Sequence, residues 1–129
     1  MKKLLALATA LVFASSAMAG EFPDISITEL EKKIADGKVT VIDVMGAKSF
    51  KRGHIPGAIN FAAARKNLGK SLPKDKDSLI VAYCGGPSCK AYRSAANAAE
   101  KLGYTNVKHL SAGISGWLQA EKKTEKSAN

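Results

Sequence analysis

The segment Tyr83-Cys84-Gly85-Gly86-Pro87-Ser88-Cys89-Lys90 holds both cysteines of a 129-residue chain. The apolar run Leu79-Ile80-Val81-Ala82 precedes it, and an alanine-rich helical pattern ending at Leu102-Gly103 follows. Cys84 therefore falls at a strand-to-helix turn, where backbone N–H groups converge and a helix N-terminus stabilises a thiolate or an anion carried on it. Gly85 and Gly86 are free to adopt positive φ, and Lys90 adds a cation at the helix end of the loop. The pattern suits nucleophilic chemistry on Cys84, with Gly85, Gly86, Pro87, Ser88, Cys89 and Lys90 forming an anion-binding loop. Inert packing of an apolar cysteine competes with this, but Gly-Gly-Pro directly after Cys84 weighs against it.

A structural disulfide between Cys84 and Cys89 is the bland alternative. Closing so short a loop removes little chain entropy, so such a bond would staple the fold only weakly. The separation is compatible with the roughly 4.4–6.8 Å between Cα atoms that a disulfide needs, without establishing it. Zinc is disfavoured, because His54 and His109 are the only histidines and no second spaced cysteine pair exists. No metal and no cofactor are expected.

The elements that must position this loop follow from the pattern of the chain. Met1-Lys2-Lys3, an apolar stretch from Leu4 to about Ala14, and Ala17-Met18-Ala19 read as a cleavable signal peptide, residues 1–19. The apolar stretch is shorter than the roughly 20 residues of a bilayer helix, so no membrane span is expected in the mature chain, and a periplasmic or secreted location is. What remains, residues 20–129, suffices for one core and one domain. Losing Lys2 and Lys3 lowers the formal charge from +9 to +7, still a field that attracts small anions and acidic partners. The export signal and the dispersed lysines argue against nucleic acid.

Within the domain, Ile25-Ser26-Ile27 is a short strand candidate, and Thr28 with Glu31 reads as a capping box opening a helix that stops at Gly37. The β-branched run Val39-Thr40-Val41-Ile42-Asp43-Val44 reads as a central parallel strand covered on both faces. Asp43 stands near its C-terminal end, where open α/β sheets place ligands, although an aspartate satisfied by nearby backbone N–H groups reads equally well. Gly53-His54-Ile55-Pro56-Gly57 is a turn leading to the strand Ala58-Ile59-Asn60, then a brief helix from Ala62 to Asn67. His54 reads as a turn-shaping residue before an acid–base catalyst. Leu79–Tyr83 and Val107–Leu110 are further strands. Ala91, Ala95, Ala98, Ala99 and Leu102 mark the apolar face of the helix from about Lys90, and a last helix runs from Gly113 to about Lys122. The charged tail, about residues 121–129, is expected to fray. His109 reads as an ordinary strand residue, and Tyr83 and Trp117 as core or wall. Alternating strands and helices predict a single α/β domain with a central parallel β-sheet flanked by helices on both faces.

Three segments resemble the rhodanese-like family. Val41-Ile42-Asp43-Val44 followed by Gly53-His54-Ile55-Pro56-Gly57-Ala58-Ile59-Asn60 is similar to its first signature, Tyr83-Cys84-Gly85-Gly86 to the strand and nucleophile of its active-site loop, and Leu110-Ser111-Ala112-Gly113-Ile114-Ser115-Gly116-Trp117 to its C-terminal signature. The resemblance spans nearly the whole mature chain. It implies a cysteine, Cys84 here, that takes sulfane sulfur from a donor, holds it as a persulfide and passes it to a nucleophilic acceptor. Met45 stands where the family commonly has arginine. Arg93-Ser94 matches the family's usual Arg-Ser only in an expanded loop, which makes Lys90 the favoured closing cation and Arg93 the second candidate.

The expected function is sulfur transfer from thiosulfate or polysulfide, through Cys84, to cyanide, a thiol or a protein acceptor, with Asp43, His54 and Arg93 as possible supporting residues. A rival is a non-catalytic or redox-regulated binding module holding a Cys84–Cys89 disulfide. Phosphatases and arsenate reductases of the same fold end a larger loop in arginine. Lys90 stands at that spacing but cannot hold an oxyanion bidentately, so that chemistry is the weaker reading.

Overall fold

The computed structural model describes residues 22–127, so the leader lies outside the described residues. Strands β1 (Thr40–Asp43), β2 (Ile59–Asn60), β3 (Ile80–Tyr83) and β4 (Val107–His109) pair in parallel in the order β2-β1-β3-β4. The register sets Asp43 beside both Asn60 and Tyr83, so these three residues share the C-terminal edge of the sheet. That is the edge at which open α/β sheets bind ligands.

Alternation along the strands makes the two layers. Ile42, Ile80, Ala82 and Val107 face one way and pack on Tyr92, Ala95, Ala96 and Ala99 of α5 (Tyr92–Lys101), with Leu68 of α4 (Leu68–Ser71). Val41, Val81 and Tyr83 face the other way, onto Leu30 of α1 (Ile27–Ala35) and Trp117 of α6 (Gly113–Gln119). Both faces are covered, which is why the central strands carry continuous apolar runs. The short α2 (Ala47–Arg52) and α3 (Phe61–Ala64) follow β1 and β2. Among the described residues no helix is long and apolar enough to cross a membrane.

Several local expectations are corrected. Ile25-Ser26-Ile27 is not a strand: Asp24 makes one isolated bridge with His109, and Ser26 is already the cap of α1, its Oγ accepting the Glu29 N–H at 3.1 Å. The Ser-x-x-Glu spacing lies two residues upstream of Thr28-x-x-Glu31 and wins because the chain leaves His109 at Ile25, whose N–H donates to the His109 carbonyl. The helix after the cysteine loop starts at Tyr92, so its buried stripe is Tyr92, Ala95, Ala96 and Ala99, while Ala91 and Leu102 are exposed. α2 escaped the pattern because six residues with none buried leave no periodic signal. α3 starts at Phe61, capped by the Asn60 side chain, and α6 ends at Gln119.

The tail is tied to the domain at Lys122, Lys123 and Glu125. Glu125 exchanges backbone hydrogen bonds with His54, both at 2.9 Å, and the Lys123 carbonyl accepts the buried Trp117 indole N–H at 2.7 Å. Lys122 pairs with Glu31 at 3.0 Å. The segment is a strap whose charge faces water while its backbone satisfies groups that the domain would otherwise leave unpaired.

Candidate active site

β3 ends at Tyr83, and Cys84, 2% exposed, begins the loop. Gly85 and Gly86 are half-buried, Pro87 and Ser88 form an exposed tip, Cys89 is half-buried and Lys90 exposed. A β-turn with Pro87 at its second position closes through the Cys89 N–H to the Gly86 carbonyl, 3.1 Å. That turn folds the loop back on itself and brings the Cα atoms of Cys84 and Cys89 to 6.2 Å, where the two residues are joined as a disulfide.

α6 fixes the other side of the loop. Its first N–H groups are donated outward: Ile114 to the Cys84 carbonyl at 3.0 Å and Ser115 to the Gly85 carbonyl at 2.9 Å. In a planar trans peptide the N–H points opposite to the C=O, so the N–H groups of Gly85 and Gly86 face away from α6. Among the described residues they have no backbone acceptor. Neither Gly85 nor Gly86 uses its freedom to take a positive φ; the demanding glycine is Gly113, at φ +62°. A Cβ there would lie 2.6 Å from the Gly85 carbonyl carbon and the Gly86 nitrogen and 2.7 Å from the Cys84 oxygen. Only a residue without a side chain lets α6 approach the loop this closely. Gly113 was within the C-terminal signature, but its partner was not readable there.

α5 supplies the far end of the loop. Its cap, Ala91, offers no side-chain acceptor, and its first bonds are Arg93 N–H to the Lys90 carbonyl and Ser94 N–H to the Ala91 carbonyl, each 3.1 Å. Those two N–H groups are spent on local carbonyls, so what the start of α5 offers an anion is its dipole, with no side-chain cap competing for it. Of the two candidate cations, Lys90 is exposed, whereas Arg93 is half-buried and its Nε is buried without a hydrogen-bond partner among the described residues.

Asp43 is fully buried and forms a brace beneath the loop. Its Oδ2 accepts the Tyr83 hydroxyl, its Oδ1 accepts the Met45 N–H at 2.6 Å, and the Tyr83 oxygen accepts the Ile55 N–H at 3.1 Å. Burial raises the Asp43 pKa above the ordinary carboxylate value, against the opposing effects of the Tyr83 and Met45 hydrogen bonds. Burial, then the Asp43 charge, pushes the Tyr83 hydroxyl up as well. Asn60 donates to the Met45 carbonyl at 3.0 Å, so β1 and β2 together hold the Met45 backbone, and the Met45 thioether lies against Gly85. Asp43 therefore positions the loop wall through Met45. Tyr83 as its partner was not foreseen, because the pair lies on neighbouring strands 40 residues apart.

His54 belongs to the strap and its turn. Its ring stacks on Phe50 with centroids 3.7 Å apart, its Nδ1 is 2.7 Å from the Phe50 carbonyl, and its Nε2 is 3.8 Å from Glu125. His109 stacks on Tyr92 of α5, its Nε2 buried without a partner among the described residues. Burial pulls its pKa below the ordinary histidine value, with the Arg93 charge in the same direction and Asp24 opposing. A cleft of about 310 Å³ is bounded by Ile114 and by Met45, whose thioether lies against Gly85, with exposed Leu118 and Arg52 on its rim; among the described residues none of the 84–90 loop lines it. Among the described residues no group of three or more His, Cys, Asp or Glu is placed to hold a metal.

Residues 26–120 match the family model described as "Rhodanese-like domain". The HTH-type transcriptional regulator Rv0324 of Mycobacterium tuberculosis is 33% identical over 123 residues, covering 95% of this chain but 53% of the regulator, so the chain spans about half the length of that relative. The human thiosulfate:glutathione sulfurtransferase is 29% identical, over 81% of this chain and 99% of its own. The crystal structure of a thiosulfate sulfurtransferase from Pseudomonas aeruginosa superposes with a TM-score of 0.66 at 24% identity, over 83% of this chain and 20% of its own, a likeness of fold.

Proposed function

From the premise that the chain belongs to the rhodanese-like domain family, whose sulfurtransferase members support a sulfurtransferase-type role, we propose that it transfers sulfane sulfur through a Cys84 persulfide in an exported, periplasmic setting. The observation that carries this reading is the orientation of the loop. With the carbonyls of Cys84 and Gly85 tied to the start of α6, the Gly85 and Gly86 N–H groups are left for an anion, and the uncapped start of α5 adds its dipole. A persulfide is such an anion. Once Cys84 is reduced, it attacks the outer sulfur of thiosulfate or polysulfide, displacing sulfite or a shorter polysulfide, and the bound sulfur passes to cyanide, a thiol or a protein thiol. The cleft beside Met45 and Ile114 offers an acceptor an approach, with Arg52 suited to a carboxylate-bearing thiol.

The test is transfer by reduced protein from thiosulfate to cyanide, read as thiocyanate, with intact mass after the donor step. One added sulfur atom on the wild type and none on Cys84→Ser are expected. Full transfer by a folded Cys84→Ser variant refutes the assignment.

The disulfide favours a second, compatible reading, in which oxidation removes the nucleophile and gates transfer. Thiosulfate-dependent transfer should then be silent in the oxidised protein and return with a dithiol reductant.

A further inference from the structure

The oxidised loop has chemistry of its own, because a disulfide is an electrophile and its two sulfurs differ here. Cys84 is 2% exposed, its side chain packed with Ile42, Ala82 and Tyr92 on the α5 face of the sheet and its carbonyl tied to α6. Cys89 is half-buried beside the exposed Pro87-Ser88 tip, next to the exposed ammonium of Lys90. An incoming sulfur nucleophile therefore reaches Cys89 first. The leaving thiolate is then Cys84, the one next to the unspent N–H groups of Gly85 and Gly86. Accessibility of the attacked sulfur and stabilisation of the departing one favour the same direction of opening.

We propose that the Cys84–Cys89 disulfide accepts hydrosulfide, so that the oxidised protein loads sulfane sulfur from sulfide without a sulfane donor. This rests on the reading of Cys84 as the persulfide carrier and adds a second entry to that site. Hydrosulfide attacks Cys89 Sγ, a new S–S bond forms there, the Cys84–Cys89 bond breaks, and Cys84 leaves with the electron pair as a thiolate. The product is Cys89–S–SH. The incoming sulfur has been oxidised by two electrons to the sulfane level, and the disulfide, which is the oxidant, has been reduced by two. Cys84 thiolate then attacks the outer sulfur, giving Cys84–S–SH and Cys89 thiolate, with the proton remaining on the outer sulfur or passing to water. After transfer to an acceptor the loop is a dithiol, and a second round requires exchange with an external disulfide. The small, anionic nucleophile suits a partly covered sulfur beside a lysine, where a bulky thiol meets the loop tip.

The experiment compares oxidised and reduced full-length protein, each given one equivalent of sodium sulfide without oxygen, quenched with iodoacetamide and weighed intact. Oxidised protein should gain one sulfur per chain relative to the dithiol form and then release about one thiocyanate per chain to cyanide; reduced protein should gain none. Fragmentation of the loop peptide at the earliest quench should place the added sulfur on Cys89 and the free thiol on Cys84. The Cys89→Ser variant should lose sulfide uptake completely. An intact disulfide after sulfide, or a dithiol with no added sulfur, overturns the proposal, and a first free thiol at Cys89 overturns the direction of attack. A parallel arm gives thiosulfate to reduced wild-type protein: loading there, with no uptake of sulfide by the oxidised form, sinks this inference alone, whereas failure of both arms sinks the persulfide carrier as well.

Discussion

Gly113→Ala should damage stability and transfer together, and Gly37→Ala separates the causes. Both glycines sit in the left-handed region, Gly37 at φ +67° and Gly113 at +62°. A Cβ at Gly37 meets nothing within 4 Å, so that variant feels only the backbone cost. That cost is ~1–2 kcal/mol, offset by about 0.4–1 kcal/mol from the stiffer unfolded chain, for a net loss of about 1 kcal/mol. At Gly113 the same cost applies, but the Cβ also lies 2.6 Å from two backbone atoms of the cysteine loop. Relief requires the loop and α6 to part by several tenths of an ångström, an overpacking cost of roughly 1–3 kcal/mol. The separation stretches the Ile114 to Cys84 and Ser115 to Gly85 hydrogen bonds, each worth about 0.5–1.5 kcal/mol. The expected total is about 3–7 kcal/mol, against about 1 kcal/mol at Gly37. Urea unfolding of both variants measures the difference. Under conditions where Gly113→Ala remains folded, displacement of the loop should slow thiosulfate-to-cyanide transfer by up to ~100-fold, while Gly37→Ala keeps the wild-type rate. Equal destabilisation by the two substitutions, or wild-type transfer by Gly113→Ala, refutes the role assigned to this close approach.

Lys90→Gln should slow thiosulfate use about two- to fivefold at low ionic strength and hardly at all in ~0.5 M salt, since an exposed charge is screened. An unchanged low-salt rate transfers the closing role to Arg93, whose buried Nε lacks a partner among the described residues. His109 has a depressed pKa, so its contribution is present above the unfolded value near 6.5 and is lost as the pH falls from there toward the folded value. Between pH 7.5 and 5.5 that loss is bounded at about 1.4 kcal/mol. His109→Gln should remove this part of the slope in urea midpoints measured at the two values, and an identical slope in both proteins rejects the assignment. Deleting residues 122–129 strips the Trp117 indole of its acceptor and His54 of its backbone partner, and should cost about 2–3 kcal/mol. Unchanged thermal unfolding of the truncated chain would show that the strap carries no stability.

Local pattern made much of this protein legible. A continuous apolar run is readable as a buried strand because both of its faces must be apolar, and Val41-Ile42 and Ile80-Val81-Ala82 are such runs. The position of Cys84 at the strand end and the turn chemistry of Gly-Gly-Pro are equally local, so the candidate nucleophile and its loop were accessible from spacing alone. Tertiary structure alone decided which groups meet. The Asp43–Tyr83 brace joins residues 40 apart and depends on the parallel register of β1 and β3. The strap depends on Glu125 returning to His54, and a charged, aperiodic tail carries no signal for backbone pairing. Gly113 is demanding because of atoms in a loop nearly thirty residues earlier, which no local rule for glycine anticipates. Even the cysteine pair was decided by a fold in space: five residues of separation permit a disulfide, and the turn from Gly86 to Cys89, held against α6, brings the two Cα atoms to 6.2 Å. A sequence specifies its elements through periods and caps that are local, whereas a site consists of contacts between elements, which exist only once their register and packing are set.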